Sequence, residues 1–191
     1  MTTQLDLRPA ARRLASLVEG VPGAALDRPT PCERYAVGDM LDHIGGFALA
    51  FAGAAHKTPL DRSGSGDGSR LPDDWRERIP RDLLAMAEAW CDPDAWTGMT
   101  AAGGVDLPGD VAGAVALDEL VLQGWDLAKA TGQPAGYDGP GLAAVHETVR
   151  HFRSAGVEGI FGPEVAVGHD APLFARILGL TGRDPAWEPP R

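Results

Sequence analysis

The residues of this sequence best suited to metal binding are one histidine and four polar side chains at helical spacing. Glu119 and Gln123 are four residues apart, and Asp126 follows seven residues after Glu119, so on a helix all three share one face. His43 lies in another helix-like segment, with Asp39 one turn before it. A carboxylate and a polar side chain on one helix, facing an imidazole on another, could hold a metal ion inside a helical bundle.

The same residues also have a simpler interpretation. His43 would be a hydrogen-bonded histidine of the core and Glu119 a solvated helix residue, because a Glu and a Gln four residues apart occur on many helices. For Asp126 and the neighbouring Trp125 the simpler interpretation is a second-turn hydrogen bond beside a core tryptophan. Spacing alone leaves both interpretations open.

Six segments in which apolar residues recur with the helical period must position these side chains. The predicted helices cover about residues 7–21, 37–55, Asp73 or Pro80 to 90, 110–130, 141–155 and 172–180. Period-two alternation is nearly absent, although residues 105–108 could form a short extended piece. The pattern predicts one all-α domain over residues 1–191. Its bundle would use helices one, two, three or four, and five, with the short last helix across an end.

Composition argues against two classes of partner. Lys and Arg total 17 against 27 Asp and Glu, a formal net charge of −10, whereas nucleic acids and anionic lipids are bound by basic surfaces. The sequence contains no run of the roughly 18–20 apolar residues that span a bilayer. Its first residues lack an apolar signal core, so we expect a cytoplasmic protein. The Gly/Ser/Asp-rich stretch over residues 57–70 predicts a mobile surface loop.

Three segments resemble one known family when they are read together. They are residues 30–46 (TPCERYAVGDMLDHIGG), 118–133 (DELVLQGWDLAKATGQ) and 180–187 (LTGRDPAW). They are similar to the metal-binding domain of mycothiol-dependent maleylpyruvate isomerases, within the wider DinB/YfiT-like superfamily of four-helix bundles. The likeness extends over nearly the whole chain. It implies a DinB/YfiT-like four-helix bundle with an extra short C-terminal helix.

The resemblance also implies a divalent metal, zinc before others, held by a His of the second helix and by a Glu and a His four residues apart on a later helix. His43 and Glu119 match the first two positions, whereas Gln123 stands where the family has its second His. An amide oxygen is a weaker zinc ligand than an imidazole nitrogen, so we expect lower zinc affinity. An open metal position would bind a low-molecular-weight thiol, such as mycothiol, as the thiolate. Asp126, Trp125 and Asp39 would then shape the ligand pocket.

Three functions stay open at this point. The chain could be a metal-dependent thiol transferase or isomerase, or a bundle that binds a small ligand or thiol at a degenerate metal site without turnover. The third possibility is a structural or dimerising bundle with no site, and a homodimer is possible. The family's isomerases carry part of their active site on a C-terminal domain that we expect to be missing here, so we do not expect a maleylpyruvate isomerase. Gln123 favours the second function over the first. Arg183 is predicted to form an ion pair or cap that closes the C-terminal helix onto the bundle.

Overall fold

Four helices share one apolar core. In a computed structural model, which describes residues 4–58, 60, 65–156 and 160–190, these helices are α1 (Arg8–Glu19), α2 (Val37–Ala55), α3 (Trp75–Ala89) and α4 (Gly109–Thr131). α1 and α2 each pack against both α3 and α4. Leu14, Met40, Leu83 and Leu127 are completely buried between them. The predicted all-α four-helix bundle is therefore confirmed.

Two further helices, α5 (Leu142–Ser154) and α6 (Leu173–Leu180), extend the bundle at its C-terminal end. α5 packs against α4 and α6. The sequence analysis counts α5 among the four bundle helices, and this prediction is wrong. The reason is its narrow apolar face, on which only Val145 and Val149 are fully buried. No helix within the described residues is long and apolar enough to cross a membrane.

Local hydrogen bonds set the ends of the helices that carry the site. At the start of α2, Asp39 Oδ2 accepts a hydrogen bond of 2.9 Å from the Ala36 N–H, which would otherwise lack a partner. α4 ends at Gly132, whose φ of +72° is the left-handed conformation that favours glycine. Both ends agree with the sequence prediction to within one residue.

Pro80 lies inside α3 and does not mark its start. The helix begins at Trp75 because the side chains of Trp75 and Ile79 are buried in the core, with 6% and 3% of their surface exposed. This burial holds the first turns of α3 although Pro80 has no N–H to donate.

A short β-hairpin connects α3 to α4. Strands β1 (Met99–Ala102) and β2 (Val105–Pro108) pair in antiparallel register, with Ala102 opposite Val105. Gly103 and Gly104 form the turn with φ values of +59° and +79°, as a two-residue type I′ turn requires. The hairpin packs on α2 and α4, and the Thr100 hydroxyl donates a hydrogen bond of 2.7 Å to the Ala54 carbonyl. Its turn therefore lies beside the helices that carry the candidate site.

The stretch predicted as a mobile loop, 57–70, lies partly outside the described residues, which omit 59 and 61–64. Its described end, residues 65–70, forms a strap that contacts the N-terminal half of α2. The Gly66 N–H donates to the Tyr35 hydroxyl at 3.0 Å, and the Gly68 N–H donates to Asp39 Oδ1 at 2.7 Å. A side chain at Gly66 would collide with the Asp39 carbonyl oxygen, so the close approach of the strap requires glycine there. Mobility of the stretch as a whole stays a prediction.

Candidate functional site

His43, Glu119 and Gln123 meet between α2 and α4. Glu119 Oε2 lies 3.5 Å from His43 Nε2 and accepts a hydrogen bond of 3.1 Å from Gln123 Nε2. The spacing of four residues places Glu119 and Gln123 side by side on α4, and α2 supplies His43. The side chains of His43 and Glu119 are 25% and 30% exposed, so a small molecule can reach them. Their role as metal ligands stays a prediction.

Two aromatic rings flank the His43 imidazole. The ring centroids of Tyr35 and Phe47 lie 5.5 and 5.8 Å from that of His43, and Phe47 meets it edge to face. Phe47 comes from α2 itself, whereas Tyr35 precedes the helix and also accepts the hydrogen bond from the strap. These contacts restrict the orientation of the imidazole and keep it directed at Glu119.

The environment of Glu119 favours its charged form. Burial is the largest single influence on the pKa of Glu119 and raises it, but hydrogen bonding to and charge from His43 outweigh burial when the smaller effects of Gln123 and Arg183 are added. The net result is a pKa below the usual value. Glu119 is thus an ionised acceptor on which two side-chain nitrogen atoms converge.

A cavity of about 480 Å³ opens beside His43 and Glu119. Phe47 and Phe51 form apolar parts of its wall, and the hairpin turn contributes Gly103. Its polar residues include Asp42, Ser65 and Arg70, and the Arg70 guanidinium lies 2.8 Å from Asp42 Oδ2. Asp42 also accepts a hydrogen bond of 3.0 Å from the Asp67 N–H, which ties the strap to the wall. The sequence did not identify Arg70, because it lies in a stretch that looked like a mobile loop.

Asp126 lies away from this cavity, in a buried ion pair. Its side chain is 0% exposed and accepts three hydrogen bonds from the Arg183 guanidinium, with lengths of 2.9, 3.1 and 2.7 Å. Burial raises the pKa of Asp126, and the charge and hydrogen bonds of Arg183 limit the rise. The predicted ion pair of Arg183 is confirmed, and it joins the segment after α6 to α4.

Trp125 and Asp39 also lie apart from the residues that line the cavity beside His43. Trp125 is 5% exposed and lines a separate small pocket with Leu17 and Tyr137. Asp39 caps α2 and anchors the strap through its two carboxylate oxygens. A direct contact of either residue with a ligand stays a prediction.

Asp118, next to Glu119 on α4, is a buried acid that the sequence did not single out. It is 4% exposed, and its Oδ1 has no hydrogen-bond partner. Burial raises the pKa of Asp118 well above the usual value, and the charge of Glu119 adds to the rise. No local pattern distinguishes it from a solvated acid, because its burial depends on the C-terminal segments that cover α4.

The donor set fits a divalent metal only if the amide of Gln123 takes part. Within the described residues no group of three or more His, Cys, Asp and Glu side chains is arranged to hold a metal ion. His43 and Glu119 supply two ligands, and Gln123 Oε1 is a buried oxygen without a hydrogen-bond partner. Turning the amide would exchange this oxygen with Nε2, which now faces Glu119. An oxygen facing the carboxylate is repelled unless a cation lies between them, so a metal would give Oε1 the partner that it lacks.

These features define a four-helix-bundle protein in which an imidazole and a carboxylate line one cavity and an amide side chain donates a hydrogen bond to that carboxylate. Residues 7–128 match the family of the mycothiol maleylpyruvate isomerase N-terminal domain. The match covers more than half of the chain, which therefore belongs to this family. No curated protein matches the sequence.

Two solved structures have a similar fold. The crystal structure of the mycothiol-dependent maleylpyruvate isomerase superposes with a TM-score of 0.69 at 19% identity, and that of a mutant of this enzyme with a TM-score of 0.65 at 18% identity. Each match covers 97% of this chain and 93% of the other. The comparison therefore gives no support to the expectation that a C-terminal domain of the isomerases is missing here. At this level of identity the likeness establishes the fold alone.

Proposed function

We propose that this chain is a thiol-dependent protein of the transferase or isomerase type that binds a low-molecular-weight thiol in the cavity beside His43. The observation that carries the proposal is the convergence of His43 Nε2 and Gln123 Nε2 on Glu119 Oε2 at the wall of that cavity. Family membership supports a thiol as the ligand and makes mycothiol the first candidate. A cytoplasmic location belongs to the same proposal.

His43, Glu119 and Gln123 would hold a divalent metal, with zinc as the first candidate. When bound, the ion supplies a Lewis acid that lowers the pKa of a thiol and favours the nucleophilic thiolate. The ionised Glu119 balances positive charge in the site, and Tyr35 and Phe47 keep the imidazole in position.

The apolar and polar residues of the cavity wall have different roles in this proposal. Phe47 and Phe51 exclude water from the apolar side, where the sulfur atom of a thiol can lie. Asp42, Ser65 and Arg70 offer donors and acceptors to the polar part of the ligand. A cavity of about 480 Å³ has the size of a small-molecule site.

The alternative is a bundle that binds a small ligand without turnover. It is favoured by the amide of Gln123, whose Nε2 donates to Glu119 and thereby satisfies the carboxylate with protein donors alone. In this alternative a thiol is held in the cavity but is not activated.

Zinc titration of the purified chain distinguishes the two. We expect weak binding by the wild type, tighter binding by Gln123→His, which restores a nitrogen donor at the same spacing, and loss of binding in His43→Ala. His169→Ala is the matched control, because its side chain is 92% exposed and distant in sequence from the site. If Gln123→His binds zinc no better than the wild type, or His43→Ala binds it equally well, the metal-dependent function is wrong.

A further inference from the structure

A second cavity, of about 340 Å³, also reaches Glu119, but His43 is not part of its wall. It lies between α4, α5 and the segment that follows α5. Val115 and Leu122 of α4 and Phe152 and Phe161 form its apolar side. Asp118, Glu119, Gln123 and Arg183 form its polar side. The cavity therefore combines an apolar body with a group of polar atoms at one end, as binding sites for small amphipathic molecules do.

The outer wall of this cavity is held in place by Arg153. Its guanidinium lies 5.5 Å from the ring centroid of Phe161 and donates hydrogen bonds to the Gly162 and Leu180 carbonyl oxygens. The contacts join α5, the segment at Phe161 and the end of α6. The aromatic side of the cavity is thus a fixed surface built from three parts of the chain.

Unsatisfied acceptors are concentrated in the wall of this cavity. Within the described residues, three buried side-chain polar atoms lack a hydrogen-bond partner, and two of them are Asp118 Oδ1 and Gln123 Oε1. Asp118 is 4% exposed, and no hydrogen bond to its carboxylate occurs among the described residues. A metal at the first site would take up Gln123 Oε1, which leaves Asp118 Oδ1 as the buried acceptor for which a ligand that brings a donor is favoured.

Charge determines which kind of donor is favoured. The Arg183 guanidinium is already matched by the fully buried Asp126. Glu119 faces His43 and Gln123, whereas Asp118 has no cationic partner within the described residues. The wall therefore holds one buried carboxyl group, that of Asp118, which neither a protein donor nor a protein cation satisfies, and an ammonium group would supply both a donor and a positive charge.

We propose that this second cavity binds a small organic ammonium compound, whose amine donates to Asp118 while its apolar or aromatic body packs against Phe152 and Phe161. The inference extends the proposed function, since it assigns a chemical class to the compound that lies next to the thiol. Glu119 belongs to both cavities and would separate the two ligands.

The test is titration of the metal-free full chain with benzylamine, benzyl alcohol and phenylacetate, followed by calorimetry or NMR. Benzylamine should bind at least about tenfold more tightly than either analogue of similar shape, as expected for a hydrogen bond to a charged group in a buried site. Asp118→Asn should weaken benzylamine binding by about tenfold or more. Asp106→Asn, the same substitution at an exposed position of β2, should leave it unchanged.

A second variant keeps the test independent of Asp118. Val115 is half-buried at the cavity wall, so Val115→Phe should fill the cavity and reduce benzylamine binding without unfolding the chain, which circular dichroism checks. Absence of benzylamine binding, equal binding of benzyl alcohol, tighter binding of phenylacetate, or full binding by Asp118→Asn would each overturn the inference.

The outcome is separable from that of the zinc experiment. If benzylamine fails to bind while Gln123→His still gains zinc affinity, the ammonium site is wrong and the proposed function stands. If benzylamine binds as expected while zinc binding does not depend on His43, the metal-dependent function is wrong and the ammonium site stands.

Discussion

Arg183→Met tests the buried ion pair that joins the C-terminal segment to the bundle. The substitution leaves the Asp126 carboxylate, which is 0% exposed, without the guanidinium that provides contacts at 2.7, 2.9 and 3.1 Å. Breaking a buried pair by removing one partner costs about 3–5 kcal/mol. Total stabilities are about 5–15 kcal/mol, so the loss should be a large fraction of the free energy of unfolding.

Urea unfolding at neutral pH, followed by circular dichroism, measures the loss. The double variant Asp126→Asn/Arg183→Met removes the charge of both partners and should be more stable than Arg183→Met alone. Arg150→Met is the matched control, because Arg150 is 61% exposed and its partner Glu147 is 71% exposed. This control should change the free energy of unfolding by no more than about 0.5 kcal/mol.

The pH dependence of Arg183→Met gives a second check. Burial already raises the pKa of Asp126, and loss of Arg183 should raise it further. An acid whose folded-state pKa is raised stabilises the fold below its unfolded pKa, and this stabilisation is lost as the pH increases through the folded-state value. The deficit relative to the wild type should therefore be smaller in acid than at neutral pH. A deficit below about 1 kcal/mol at neutral pH, or one that grows on acidification, would contradict an ionised buried pair.

Two backbone positions give further predictions. Gly132→Ala places a residue with a Cβ in the left-handed conformation at φ +72°, so the free energy of unfolding measured in urea should fall by about 1 kcal/mol. An unchanged value would show that this helix end needs no glycine. In Gly66→Ala the new methyl group would collide with the Asp39 carbonyl and should release the strap. Amide hydrogen exchange at Asp67 and Gly68 should then become faster. Exchange as slow as in the wild type would mean that the strap accommodates the methyl group.

The sequence predicts the bundle helices well because their apolar residues recur without interruption. α2 begins and ends where the pattern places it, and α4 differs by one residue at each end. Spacing also puts Glu119 and Gln123 side by side. Their distance from His43 depends on how α2 packs against α4, and only the family resemblance suggested it.

Features that depend on contacts between distant segments are not visible in the sequence. The strap at residues 65–70 has the composition of a mobile loop, yet acids of α2 bind its backbone. Asp118 resembles any acid of an exposed helix face until Phe152 and Phe161 cover that face. Trp125 and Asp126 lie in the same short sequence segment as Glu119 and Gln123. In the structure, however, Trp125 lines a separate pocket and Asp126 pairs with Arg183.

The most direct test of the proposed thiol site is the absorption spectrum of the chain loaded with cobalt(II), a spectroscopic substitute for zinc, during titration with mycothiol. A thiol bound to the metal beside His43 and Glu119 should give a new sulfur-to-cobalt charge-transfer band that saturates with mycothiol, persists in His169→Ala and is absent in His43→Ala. Binding of cobalt with no such band at saturating mycothiol, or a band of equal strength in His43→Ala, would contradict the placement of the thiol beside His43 and Glu119.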